Sequence, residues 1–305
     1  MCEASITAGA AEYQFWTGAT PNGGLPIGEF AASFYSWLMK LPLPLFEAPR
    51  AAWRQDVLLP GIRLVPEEIA IAFVYDGASE AVMMATPQDL EDFAFGFSLT
   101  EGIIDQSLDV RSLEIVPSVS GIELRMELAE ARRDQASKRR RQRAGPAGCG
   151  LCGVESLVQA MRAVPSLESP FSIRRRDVVD GMRLLNDAQS LNHKTHAVHA
   201  AGFFRPEDGL IIVREDVGRH NALDKVAGAL ARSGGRVDGL VLLTSRVSID
   251  LVQKAAMMGA SVLAAISAPT ALALRVAQDA GICVIGIVRG DEMEIFTHPD
   301  RVRSS

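Results

Sequence analysis

The run LVLLTSRVSIDLVQKAAMMGASVLAAISAPTALALRVAQDAGICVIGIV, residues 240–288, decides the fold class of this chain. Three short apolar, branched segments stand out in it: Leu240 to Leu243, Val262 to Ile266 and Cys283 to Val288. They read as buried strands, because a strand covered on both faces needs no polar alternation. Between them lie helix patterns at 248–259 and 270–280. Ser248 and Asp250 suit a helix start, and Gly259 and Gly281 suit helix ends. The order β-α-β-α-β predicts a parallel or mixed sheet covered by helices. Open α/β sheets take ligands beyond the carboxyl ends of their strands. That singles out Thr244-Ser245-Arg246 and Ser267-Ala268-Pro269-Thr270, which follow two of the strands directly.

Working outward, Leu210 to Val213 adds a strand and 219–231 a helix, and Glu155 to Val164 and Asp177 to Leu191 read as helices. Upstream the texture changes. Ile69 to Tyr75 reads as a strand, Asp76-Gly77 as a turn, and the chain through Ala81 to Ala85 as a second strand. Thr86 is the expected N-cap of the next helix, with Pro87 at its first position. Leu113 to Val116 and Ile122 to Leu128 complete a small α+β unit. The expected division is a poorly ordered extension over 1–50, an α+β domain over 55–130, a basic mobile connector over 131–148 and an α/β domain over 149–305.

With 305 residues, 48% of them apolar, the chain can build a sizeable core without covalent staples. A net charge of −6 argues against a general nucleic-acid binder. No apolar run reaches the roughly 18 residues of a membrane span. Four cysteines are too few for a disulfide framework at this length, so the expected compartment is a reducing cytoplasm.

Two of the four sit together in Gly148-Cys149-Gly150-Leu151-Cys152-Gly153, after a cluster of arginines and lysines between Arg132 and Arg143. Three chemistries use such a pair. A zinc site needs two further ligands, for which His193, His196 and His199 are available. A zinc deaminase, a third and weaker reading of function, would want a His-x-Glu ahead of the pair; no histidine precedes Cys149, which argues strongly against it. A thioredoxin-like redox pair would follow the first strand of a domain, not a mid-chain connector. The third chemistry is persulfide transfer. It needs a depressed thiol pKa, which nearby cations and a helix N-terminus supply, and backbone freedom, which the glycines supply. The motif alone favours metal over persulfide. Glu215-Asp-Val-Gly-Arg-His-Asn-Ala-Leu-Asp-Lys225 opens the 219–231 helix; its polar residues read as a solvated face or as the wall of an anion site at a helix N-terminus.

Taken together, these segments resemble the formate dehydrogenase accessory sulfurtransferase family (FdhD). The matching stretches are Met83 to Pro87, Gly96 to Ile104, Gly148 to Gly153, Glu215 to Lys225, Val252 to Met257, Ser267 to Thr270 and Thr297 to Pro299, across roughly 55 to 303. The resemblance implies a sulfur carrier. It would take persulfide sulfur from a cysteine desulfurase and pass it to the molybdenum cofactor, Mo-bis-molybdopterin guanine dinucleotide, before insertion into formate dehydrogenase. It makes Cys149 the persulfide carrier and Cys152 auxiliary. It maps the client-binding stretch onto Ile287, Val288, Arg289, Gly290, Asp291 and Glu292, with a guanine nucleotide as the client's analogue and no resident metal. Arg219, His220, Ser245, Arg246, Ser267, Thr270 and His199 are further candidates for that site. The resemblance also implies a cytidine-deaminase-like mixed sheet for the C-terminal domain and a homodimer. The alternative is a zinc-binding or cofactor-binding chaperone that moves no sulfur.

Overall fold

A computed structural model describes residues 41–133, 163–234 and 237–304. The chain first folds into a hairpin of two ten-residue strands, β1 (Leu45–Arg54) and β2 (Val57–Pro66), paired antiparallel through a turn at Gln55 and Asp56. β1 begins inside the stretch expected as an unordered extension over 1–50. Pro49 and Pro60 hide both strands from a propensity reading, and the turn uses two left-handed residues, φ 47° and 61°, neither of them glycine.

Alternating burial then builds β3 (Ile69–Tyr75) and β4 (Ala78–Ala85) around the expected Asp76-Gly77 turn. Helix α1 (Leu90–Thr100), β5 (Val110–Ser118) and β6 (Gly121–Leu128) follow. The four strands form a sheet of order β4-β3-β6-β5, in which β3 and β6 run parallel. Phe93 and Phe97, one turn apart on α1, close its core. Phe73 meets Phe93 edge-on at 5.0 Å and stacks on Phe97 at 4.0 Å.

Beyond residue 163 come β7 (Ile173–Arg174), α2 (Arg175–Asp187), a one-turn helix at Asn192–Thr195, β8 (His199–Arg205), β9 (Gly209–Asp216) and α3 (Arg219–Ser233). The deciding run supplies β10 (Leu240–Leu243), α4 (Ile249–Met257), β11 (Val262–Ala265), α5 (Ala271–Asp279) and β12 (Cys283–Arg289). β13 (Glu292–Ile295) and β14 (Val302–Arg303) follow. The second sheet has the order β13-β12-β11-β10-β8-β9, with β10, β11 and β12 parallel and the other pairings antiparallel. One face buries Val241, Leu263 and Val284 with residues of α3, α4 and α5. The opposite face buries Leu242, Ala264 and Ile285 with Val178, Met182 and Leu185 of α2. This is the mixed α/β architecture expected; β10 and β11 are buried throughout, and β12 over its first four residues, as their uniform apolarity predicts.

Helices α1 and α3 lie backbone to backbone. A Cβ added at Gly96 would stand 1.6 Å from the Asp224 carbonyl oxygen, and one added at Gly228 1.8 Å from that of Asp92. Such close approach requires glycine at both positions.

Candidate functional site

The expected helix cap at Thr86 is a correction. Helix α1 starts four residues later, behind Asp89 in a left-handed conformation with φ 54°. Thr86 serves a tertiary joint instead. Its N–H donates to Asp216 Oδ2 at 3.1 Å, its hydroxyl accepts from the Val217 N–H, and its carbonyl accepts from Lys225 Nζ at 3.0 Å.

That joint explains the Glu215–Lys225 motif. Asp216, Asn221, Asp224 and Lys225 are buried, so they are not a solvated face. Lys225 Nζ donates to Asp216 Oδ2 at 2.6 Å, and Asn221 Nδ2 donates to Asp216 Oδ1 and to the Met84 carbonyl. Glu215 accepts from the N–H groups of Leu191 and Asn192 at the entrance of the one-turn helix. One turn further along α3, Asp224 accepts from Thr100 Oγ1 at 2.5 Å and from Lys254 Nζ, which also reaches Glu101. Burial raises the Asp224 carboxyl more than Lys254 lowers it, as expected where two carboxylates share one ammonium. Asp92 receives both Arg214 and Arg232. Asp216, Asp224 and Lys225 are spent on fastening α3 to α1 and the end of β4, in a dry interior where each polar group must find its partner.

The other candidates gather along the carboxyl ends of the parallel strands. β8 runs antiparallel to β10, so its first residue, His199, comes to the edge where Thr244, Ser245 and Arg246 leave β10. The Ala200 N–H donates to Thr244 Oγ1 at 2.8 Å, fixing that end. α3 opens at the same edge with Arg219 and His220. Burial first, and then the Arg219 cation, hold His199 below the usual imidazole range and push His220 down to about 4. His220 is therefore a neutral imidazole at pH 7. Its Nε2 and the Ser248 hydroxyl are buried and find no hydrogen-bond partner among the described residues, Asp250 lying 3.6 Å from Nε2. Ser245 donates to the Arg246 carbonyl, the Ser267 carbonyl accepts from the Ile287 N–H, and Thr270 caps α5 by accepting from the Ala273 N–H.

The stretch Ile287 to Glu292 lies further along this edge, at the β12–β13 turn. The ladder is irregular between Gly286 and Arg289, and Ile287 takes a left-handed conformation with φ 53°, a strained choice for a β-branched residue. Gly290, φ 55°, makes the turn. Beside it opens a cavity of about 720 Å³, whose walls include Ile287, Arg289, Asp291 and Glu292. Of the other expected residues, Val288 is buried beneath it and Gly290 lies outside the lining. Arg219, His220, Ser245, Arg246, Ser267, Thr270 and His199 do not line it either. Sequence reading missed Arg175 and Arg303, which do. Arg175 belongs to the Arg174-Arg175-Arg176 run at the start of α2, a cationic signal available in the sequence, and its guanidinium donates to the Asp291 carbonyl. Among the described residues, Arg289, Arg303, Glu292 and Glu294 share this cavity without forming ion pairs with one another.

Cys149 and Cys152 lie outside the described residues. Cys283 is buried in the sheet and its thiol is pushed up to about 12 by that burial, so it is inert. Among the described residues, no group of three or more His, Cys, Asp and Glu is placed to hold a metal. No described helix is long and apolar enough to cross a membrane.

Two sheets covered by helices, one mixed and one of four strands, define a class of α/β proteins already solved. A structure described as a formate dehydrogenase accessory protein from Desulfotalea psychrophila superposes with a TM-score of 0.68. It covers 86% of this chain and 100% of its own at 23% identity, which establishes the shared fold. The model of the FdhD/NarQ family matches residues 66–303, and the chain belongs to that family. Curated relatives are close. The "Sulfur carrier protein FdhD" of Agrobacterium fabrum is 52% identical over 83% of this chain and 94% of the relative. The protein of the same name from Brucella abortus is 53% identical over 80% and 91%.

Proposed function

We propose that this chain is a cytoplasmic sulfur carrier serving formate dehydrogenase. The Cys149 thiolate attacks the outer sulfur of a desulfurase persulfide. The new S–S bond forms on Cys149 as the donor's S–S bond breaks, and the donor cysteine leaves as a thiolate. The Cys152 thiolate then attacks the Cys149 sulfur; the persulfide S–S bond breaks, the outer sulfur leaves at the sulfide level to Mo-bis-molybdopterin guanine dinucleotide, the client, held at the β12–β13 rim, and the Cys149–Cys152 disulfide that forms is reduced again by an external dithiol. Cys152 is auxiliary. Membership of a family whose curated relatives are sulfur carriers supports the transfer.

The cavity's mixed charge is the observation that carries the choice of client. Arginines bind phosphates in pairs of parallel hydrogen bonds. Carboxylates repel phosphate, but they accept from the N–H groups of a guanine edge. A guanine dinucleotide uses both, so Arg175, Arg289 and Arg303 take the diphosphate while Glu292 or Glu294 reads the base. The acidic Asp291 and Glu292 then fit a phosphate-rich ligand.

Two measurements test this. Incubated with a cysteine desulfurase and cysteine, the wild-type chain gains 32 mass units of labile sulfur (roughly, the mass of one atom), and Cys149→Ala gains none. Equal loading of the variant removes Cys149 from the role. One equivalent of zinc in the purified protein, lost on replacing either cysteine, would support the chaperone reading in its place. For the client site, GDP is expected to bind better than ADP, with Arg289→Ala weakening GDP about tenfold or more, as for a lost charge-assisted bond. Equal affinity for the two nucleotides rejects the base-reading carboxylates.

A further inference from the structure

The polar residues of the carboxyl edge that stay outside the cavity form a set of their own. β10 ends at Leu243, and α4 opens behind Ser248. Ser248 has the extended backbone of a helix cap, φ −95° and ψ 168°, yet its hydroxyl makes no capping bond. Thr270, which stands in the same place after β11, caps α5 in the ordinary way. The Ser248 Oγ is instead buried, with no hydrogen-bond partner among the described residues. His220, in the first turn of α3, brings a second such atom, Nε2, to the same helix end. It lies 3.6 Å from the carboxylate of Asp250, in the first turn of α4.

A fold gives up stability wherever a buried polar atom goes unpaired, so two of them at one helix end ask for an outside group. That group can arrive from solvent, since the His220 and Asp250 side chains are 28% and 50% exposed. Its chemistry is set by what the three side chains offer. A carboxylate only accepts; a hydroxyl and a neutral imidazole N–H donate. Burial and the Arg219 cation keep the imidazole neutral at pH 7. The Asp250 charge turns an oxyanion away, and among the described residues the set has too few ligands for a metal ion. What matches is a flat ring edge with two neighbouring N–H donors beside an oxo oxygen. That is the edge of a 2-amino-4-oxopyrimidine, which pterin and guanine both carry.

We infer that Asp250, His220 and Ser248 form a second subsite, which reads the pterin ring of the client. Asp250 accepts from the ring's amino group and its neighbouring N–H, while His220 and Ser248 donate to the oxo oxygen. The inference rests on the client proposed above, and it divides that molecule between two places. The charged nucleotide end goes to the β12–β13 cavity, which has Arg175, Arg289 and Arg303 for its phosphates. The pterin ring carries no charge and goes to the α3–α4 edge, where one carboxylate and two neutral donors suffice.

Binding of free pterin and of GDP to the full-length chain is followed by ligand-detected NMR. The wild-type protein is expected to hold pterin at roughly millimolar strength, ordinary for so small a ring. His220→Phe and Asp250→Asn are each expected to weaken pterin about tenfold, the effect of one lost hydrogen bond to a charged or buried group. Neither should change GDP binding, and Arg289→Ala should do the reverse. His220→Gln, which keeps an N–H donor, is expected to bind pterin nearly as the parent does. An unchanged far-UV circular dichroism spectrum identifies each variant as folded. A wild-type chain that does not bind pterin, or pterin binding that survives both the His220→Phe and the Asp250→Asn changes, would overturn the assignment. So would a loss of GDP in place of pterin, which would give this edge to guanine. Pterin binding that depends on His220 and Asp250 while GDP fails to bind would support this subsite and reject the reading of the cavity.

Discussion

Lys225→Met is expected to lower the thermal midpoint of this protein by about 10 °C. Lys225 and Asp216 are both fully buried, with Nζ 2.6 Å from Oδ2. Removing one member of such a pair strands the other charge in a medium that cannot solvate it, at a cost of about 3–5 kcal/mol. Each kcal/mol shifts the midpoint of a domain this large by roughly 2–4 °C. The substitution also leaves the Thr86 carbonyl without the ammonium that satisfies it, so the joint between β4 and α3 loses two bonds at once. The discriminating measurement is the double variant Asp216→Asn with Lys225→Met. Taking both charges out removes the stranded ion, and the double variant is expected to recover more than half of the loss. A single variant melting within about 2 °C of the parent, or a double variant that is additive, would show the pair to be uncoupled.

Gly96→Ala is expected to be at least as damaging, through pure sterics. In an isolated helix this change helps by nearly 1 kcal/mol. Here the new methyl would lie 1.6 Å from the Asp224 carbonyl oxygen and 2.8 Å from the Gly228 nitrogen. These are backbone atoms and cannot rotate away, so α1 must lift off α3. That separates Thr100 from Asp224 and Asp92 from Arg214. The expected loss exceeds about 3 kcal/mol, the upper range for overpacking, with a fall in soluble yield. Gly61→Ala is the control: its Cβ would meet only the Arg50 guanidinium, at 3.7 Å, and the change should be nearly silent. A Gly96→Ala protein as stable as Gly61→Ala would mean that the two helices do not touch as described.

Both predictions concern residues that carry the family resemblance, and this bears on what a sequence can say. Lys225, Asp224 and Asp216 were legible as a motif, but their part was not. Charged residues around a helix start look alike in sequence whether they face water, a ligand or a second helix. Only the arrival of Thr86 and Thr100, more than a hundred residues away, makes them a joint. The hairpin was missed for a different reason: its prolines and non-glycine turn are weak local signals, stabilised by pairing that a local reading does not see. The cavity was half legible. Its Ile287–Glu292 wall followed from resemblance, whereas Arg175 and Arg303 reach it through the parallel pairing of β7 with β14 and the docking of α2.

The order of strands and helices over 240–288 was settled by the one-dimensional pattern, because a strand buried on both faces must be apolar at every position and a helix must punctuate its ends. Which charges end in the dry interior, and which stay open to a ligand, was settled only by packing. Burial is a property of what comes to lie on a side chain, and nothing within four residues of Lys225 or Arg289 records that.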